Sequence, residues 1–409
     1  MQTSSKIFRL EGVVQPYNWG GYSFIAELLG KENTENKPQA ELWLGAHDNA
    51  PSLVQLSGGG SIKLNEFIQQ DTKGGLGKDV AATFGRLPYL FKVLDVKDML
   101  SIQVHPSKQA AEKEYAAENE RGVSLTAPNR NYKDDNHKPE LMYALGDFWL
   151  LHGFKNPSDM EATITTVPEL MFLNHLWKNS GYEGIYKHVM EMLDWQVNAH
   201  LQPLINRILP LYEAGKLNKN HPDFWAARAF KTFCKPGELD RGIFSIYFFN
   251  IVHLKKGQAI FQDAGILHAY LEGQNLEIMA NSDNVLRGGL TNKHVDVPEL
   301  LKHVSFVPVT PAIIENGHVI KPGLESFPTP AADFELQKLA IGKEQTVNIK
   351  TDTADIYLVL EGAVEANAGN EQVSLHKGQA LLALANADLS FKSDESSLIF
   401  RATVPYSQS

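Results

Sequence analysis

The sequence predicts a mainly β protein with an α-helical insertion, its strands divided between two β-barrels. Three observations carry this. Short apolar runs bounded by Gly, Pro and Asn open the chain, and the apolar period lengthens to a helical one from about 151 to 235. Strand-like runs return after Gly242, and within them Lys256-Gly257-Gln258-Ala259 recurs as Lys377-Gly378-Gln379-Ala380. Short β-branched and aromatic runs read as strands, whereas apolar residues at i, i+3 and i+4 read as helices. The expected units are 1–150 with 236–320, a helical insertion at 151–235, and a C-terminal unit at 321–409. Two or three domains fit 409 residues at ~100–200 residues each.

In chain order, YLFKVLDV (89–96) and LSIQVH (100–105) are strand signals. After Pro106, SKQAAEKEYAAENERG reads as one helix, with Ser107 as N-cap and Gly122 just past its end. In the insertion, Ile185, Val189, Met192 and Leu193 recur at helical spacing, as do Leu204, Ile205, Ile208, Leu209 and Tyr212. Gly215 and Asn220-His221-Pro222 punctuate these helices before a short one around FWAARAF. FSIYFFNIVHL (244–254) reads as β-rich, and IYLVLEG (356–362) as a strand ending at a tight turn. In the register of the repeat, His268 of the first copy falls opposite Leu389 of the second, so the C-terminal unit is expected to bind no metal.

The balance of 48 acidic and 38 basic residues, a net charge of −10, argues against a nucleic-acid partner, since no Lys/Arg cluster stands out. Cys234 is the only cysteine, which excludes an intrachain disulfide and a thiolate metal cage. The N-terminus lacks the apolar core of a signal peptide, and no run approaches the ~20 apolar residues that span a bilayer. A cytoplasmic enzyme without membrane contact, monomeric or weakly homo-oligomeric, is the expectation.

In Ser101-Ile102-Gln103-Val104-His105, strand alternation puts the polar residues on one face and the apolar pair on the other. By itself this triplet could line a solvated face. Pro139 favours an extended backbone, so Lys138 and Glu140 point the same way; alone, they could be a solvent ion pair. Gly265 permits a sharp turn, after which His268 and Tyr270 share a face; a lone His there could be a core histidine. Together, Gln103, His105, Glu140 and His268 make a mixed N/O set that suits one catalytic zinc ion, with a single carboxylate preserving its Lewis acidity.

Gln15-Pro16-Tyr17-Asn18-Trp19-Gly20, ELWLGAH (41–47), SIQVHPSK (101–108), DDNHKPE (134–140), GILHAYLEG (265–273) and the near-continuous LEIMANSDNVLRGGLTNKHVDV (276–297) resemble the type I phosphomannose isomerases. The resemblance runs in order from about 15 to about 300. Asp48 and Asn292 depart from it, each where relatives often have Pro. It implies a cupin-type (jelly-roll) catalytic barrel, a helical domain and a second cupin-like barrel. It also implies zinc on the four residues named above, and Ser101, Lys92, Lys138, Glu277, Asp283 and Arg287 in the active site.

The implied reaction interconverts mannose 6-phosphate and fructose 6-phosphate through a cis-enediol, which needs a base, a charge stabiliser and a phosphate anchor. Arg287, beside Gly288-Gly289, suits the C1/C2 oxygens; a phosphate or a salt bridge are alternatives. Ser101 and Lys92 are phosphate candidates, although Lys92 could instead pair with Asp95 or another carboxylate. For the base, Glu277 and Lys138 rank equally and His137 is also in a matching motif, while Asp283 is expected to orient Arg287. Trp19 and Tyr270 could wall the cleft, Trp19 equally being core. A cupin dioxygenase or a non-catalytic sugar- or metal-binding cupin are the competing classes. Fewer imidazoles than such oxygenases use, and the presence of the reactive side chains, weigh against them.

Overall fold

The computed structural model describes residues 5–235 and 237–405. Its organising element is the 13-residue strand His268–Ala280. The far half of this long strand lies between Tyr89–Val96 and Glu140–Ala144, both antiparallel to it. Its first residues pair instead with Phe148–Phe154 and with Gln103. The change of partners coincides with an irregularity between Tyr270 and Glu272, which shifts the alternation by one residue. Residues an odd number apart, such as Tyr270 and Glu277, therefore reach the same interior. Every residue of Tyr89–Val96 is buried, the charged Lys92 and Asp95 among them.

Ile102 and Val104 are fully buried against the helical insertion, and the Gln103 side reaches the cleft, as alternation predicts. Helix Lys108–Glu120 begins at Ser107, whose hydroxyl accepts from the Ala110 amide at 3.3 Å, and Gly122 takes a φ of +70°.

The insertion comprises the helices Pro157–Thr166, Asn174–Glu191 (broken by a kink at Gly181), Asp194–Glu213 and Pro222–Phe233, with a 3-10 helix at Pro168–Leu173. Ile185, Val189, Leu204, Ile205 and Ile208 form its core with Trp225. Leu193 departs from the expected stripe: it precedes the helix Asp194–Glu213 and is 60% exposed. FSIYFFNIVHL is also not all strand. Gly242–Phe248 is a helix, and the strand starts at Phe249. All seven residues of this helix are buried where the insertion meets the sheet, so packing on every side outweighs their β-propensity.

A nine-stranded sheet, built from six C-terminal strands with Ile7–Glu11, Leu53–Gln55 and Ser61–Lys63, and a four-stranded sheet share a core of Tyr357, Val359, Val364, Leu389 and Phe391. Ile7–Glu11, assigned by sequence to the first unit, pairs with Ala380–Ala383 in the nine-stranded sheet. The turn at Gly362 carries the chain from that sheet into the four-stranded one. Both copies of Lys-Gly-Gln-Ala fold alike. Gly257 and Gly378 have positive φ, and the Gln258 and Gln379 carboxamides accept from the amides of Lys255 and His376. No helix among the described residues is long and apolar enough to cross a membrane.

Candidate active site

His105, Glu140 and His268 converge from three elements, and their donor atoms all lie within 4.8 Å of one another. Each Nε2 is 3.4 Å from a different Glu140 oxygen, too long for a charge-assisted hydrogen bond. His105 Nδ1 donates to the Asn284 carbonyl at 2.7 Å, and His268 Nδ1 to the Ile266 carbonyl at 2.9 Å. Since carbonyls only accept, both Nε2 atoms present lone pairs, the tautomer and ring orientation that metal-binding imidazoles require. His105 Nε2, His268 Nε2 and Glu140 Oε2 are buried with no hydrogen-bond partner. Leaving such atoms unpaired costs about 1–3 kcal/mol each, and a cation among them removes that cost. Burial, then Lys138, pushes the His105 imidazole down to about 4, which keeps it neutral for ligation. Burial pushes the Glu140 carboxyl up, but Lys138 and the imidazoles outweigh it and hold it well below the usual range. The donor set fits zinc.

Gln103 lies directly opposite His268 on one side and Arg287 on the other. Partners in register project to the same face, so the three side chains stand in a row. Two adjoining cavities of about 730 and 720 Å³ open beside them, sharing Tyr17, Trp19, Leu100, Arg287 and Lys293 as walls. Gln103 and Ser101 line the first, and Lys138 and Asp283 the second. Trp19 stacks on Tyr17 with centroids 5.9 Å apart.

Several expectations are corrected. Lys92 reaches the second cavity, but its Nζ lies 3.0 Å from Glu277 and 3.5 Å from Glu41. Two carboxylates already neutralise it, which disfavours a phosphate there; Asp95 instead accepts from Gln274 at 2.8 Å. Glu277 is buried off the cleft walls, with Oε1 taken by the Tyr270 hydroxyl and Oε2 by Lys92. Burial pushes its carboxyl up against the pull of Lys92. Tyr270 is an interior residue, 1% exposed, and not a cleft wall. His137 also leaves the cleft: its Nε2 is 2.8 Å from Asp333. Asp283 orients no guanidinium; it holds His47 at 3.2 Å and accepts from Asn49 at 3.0 Å. The paired glycines beside Arg287 answer to close packing. A Cβ at Gly288 would lie 2.7 Å from the Tyr186 hydroxyl, and one at Gly289, whose φ is +114°, 2.6 Å from Gly242 Cα.

Arg287 forms no ion pair among the described residues, and burial alone lowers its pKa. Lys293, overlooked in the sequence, lines both cavities, and Lys133 lines the second. Burial also lowers both of these lysines. His152 was overlooked too. It sits in register with His268, and its Nδ1 is 2.8 Å from Gln262 Oε1, which in turn faces Glu140 across the sheet. The only signal was a histidine inside the apolar run FWLLHGF. Asn284, within the 276–297 stretch but given no role there, ties the 133–136 loop to the strand start at Leu286 through its side chain.

Residues 7–157 match the family profile described as phosphomannose isomerase type I, catalytic domain. Mannose-6-phosphate isomerase of Escherichia coli K12 is 36% identical over 380 residues, 92% of this chain and 95% of that protein. The Homo sapiens protein of the same name is 34% identical over 431 residues, 97% of this chain and 98% of that one. A crystal structure of mannose 6-phosphate isomerase from Salmonella typhimurium, bound to its substrate fructose 6-phosphate and to zinc, matches with a TM-score of 0.87 and 31% identity. It covers 98% of this chain and 100% of that one. Similarity of this extent, spanning the metal triad, the cleft and the C-terminal sheets together, establishes that the chain belongs to the type I phosphomannose isomerase family.

Proposed function

We propose that the chain is a zinc-dependent aldose–ketose isomerase that interconverts mannose 6-phosphate and fructose 6-phosphate. The observation that carries this is a buried N/O triad whose His105 Nε2, His268 Nε2 and Glu140 Oε2 have no hydrogen-bond partner, next to a cleft whose Arg287 has no acid partner among the described residues. Gln103, His105, Glu140 and His268 would hold the zinc, which supplies Lewis acidity toward sugar oxygens. Arg287 stabilises the charge that develops on the C1 and C2 oxygens, and Lys293 with Ser101 anchors the phosphate. In its neutral amine form Lys138, on the cleft wall with Nζ 2.8 Å from Glu140, takes the C2 proton of the aldose and delivers it to C1, as the O2 hydroxyl proton moves to O1. Asp283, held by His47 and Asn49, lines the second cavity together with Lys138. Lys92, Glu277 and Tyr270 form the interior scaffold behind it.

The shared turn of the two Lys-Gly-Gln-Ala copies supports reading the β units as two cupin-like barrels. Leu389, buried where the first copy has His268, supports a metal-free second one. The helical insertion then spans 157–233, and Ile7–Glu11, Leu53–Gln55 and Ser61–Lys63 join the C-terminal unit. The single cysteine accords with a cytoplasmic protein, taken as a monomer or weak homo-oligomer. The test is incubation of zinc-loaded protein with mannose 6-phosphate, following fructose 6-phosphate by NMR. Absence of product would sink the proposal. Lys138→Met should abolish turnover, whereas Asp283→Asn should leave part of it.

A further inference from the structure

The loop that delivers Lys138 and Glu140 is held from outside the catalytic sheet. His137, one residue before Lys138 and three before Glu140, turns its imidazole away from the cleft. Its Nε2 meets Asp333 Oδ2 at 2.8 Å across 196 positions of sequence. Asp333 is only 4% exposed, and His137 is the sole ion-pair partner of its carboxylate among the described residues. Such a carboxylate is costly to bury unless a specific contact compensates it. Its segment is anchored on both sides: Ala331 and Phe334 pack into the core that contains Leu141, Tyr143, Leu276 and Ile278 of the catalytic sheet. On the opposite side the same loop is tied to the long strand, the Ala280 amide donating to the Pro139 carbonyl at 3.1 Å. The 137–140 segment is thus clamped between the long strand and a residue of the C-terminal region.

We propose that Asp333 is a positioning residue, through which the C-terminal unit sets the placement of Lys138 and Glu140 by way of His137. This rests on the function proposed above for Lys138 and Glu140. Asp333 touches neither substrate nor metal; it fixes the imidazole, and the short Lys138-Pro139 link transmits that placement, because Pro139 has few backbone conformations. A role in placement predicts loss of rate and of metal affinity without loss of sugar-phosphate binding, since Lys293 and Ser101 lie on other elements.

The experiment uses full-length Asp333→Asn, Asp333→Ala and His137→Gln, each at saturating zinc, with zinc affinity read separately by chelator competition. Residues that orient metal ligands without touching the metal typically change activity or metal affinity by about 10–100-fold when replaced. A fall of at least about 10-fold in kcat or zinc affinity is expected, with KM moving less than about 2-fold. Asp333→Ala placed on the His137→Gln background should cost little more, as expected of two residues acting through one contact. If kcat and zinc affinity stay within about 2-fold of wild type while only Tm falls, or if KM alone rises, the contact merely packs two regions and the proposal fails. Should Asp333→Ala not fold, the near-isosteric Asp333→Asn and the partly exposed His137→Gln decide the matter. A wild-type protein inactive on mannose 6-phosphate would sink the isomerase reading, while the zinc titration would still report on the clamp.

Discussion

Arg287 is the side chain whose role kinetics can separate most cleanly. The ground-state sugar has neutral oxygens at C1 and C2, whereas the enediolate-like transition state concentrates negative charge there. A guanidinium without an internal acid partner, aimed at those oxygens, interacts more strongly with the transition state, which is the condition for raising kcat. Arg287→Ala should lower kcat by about 10²–10³, the usual loss for one such donor, with KM little changed. A large KM increase at nearly intact kcat would transfer Arg287 to the phosphate. At this scale the sequence was most informative about ligands and least about bases. Strand alternation is enough to bring Gln103 and His105 to one face, but whether Glu277, Lys138 or His137 reaches the cleft depends on which neighbours claim them. Lys92 and Tyr270 claim Glu277, and Asp333 claims His137.

Among the elements, the two Lys-Gly-Gln-Ala turns are a matched pair in different surroundings. A Cβ on Gly257 would meet only the Tyr143 hydroxyl at 3.8 Å, whereas one on Gly378 would fall 2.0 Å from the Leu28 carbonyl oxygen. Gly257→Ala should therefore cost only the backbone strain of a positive φ, about 1–3 kcal/mol. Gly378→Ala adds a clash with main chain and should cost more; chemical denaturation of the two variants compares them, and equal losses would refute the distinction. Lys155, between strand Phe148–Phe154 and helix Pro157–Thr166, supplies a pH test. Burial, opposed weakly by Asp159, pushes its ammonium down to about 8. Below pH 8 the group is charged in both folded and unfolded states, and the full cost of burying that charge is present. Between about pH 8 and its ordinary value of 10.5 the folded state releases the proton first, so folded stability rises through this window. Lys155→Met should accordingly raise Tm at pH 7, by an amount that shrinks as pH climbs from 8 to 10.5; a pH-independent difference would contradict the assignment. The helix Gly242–Phe248 illustrates the limit of local reading, because aromatic and β-branched residues favour strands only on a half-buried pleated surface.

For the whole molecule, the decisive measurement is metal content. The purified chain should carry one zinc, and chelation should abolish turnover while the fold persists. The triad sits among large apolar cores that do not depend on metal, unlike small domains whose folding is metal binding. Elemental analysis with circular dichroism checks this: unfolding on chelation, or full activity without zinc, would overturn it, and a second zinc would contradict a metal-free C-terminal unit. The order of β and α regions, the proposed zinc ligand set and the related turns were all legible along the chain, because strand alternation, helical period and turn glycines act over a few neighbouring residues. Other features emerge only once the chain is folded: Ile7–Glu11 joins the sheet of the C-terminal strands and Leu53–Gln55 and Ser61–Lys63 extend it, Lys92 is taken up by Glu277 and Glu41, Lys293 reaches the cleft, and Asp333 grips His137. Each of these joins residues far apart in the chain, and the choice among partners for a buried charge is made by desolvation, a property of the folded interior that no local pattern encodes.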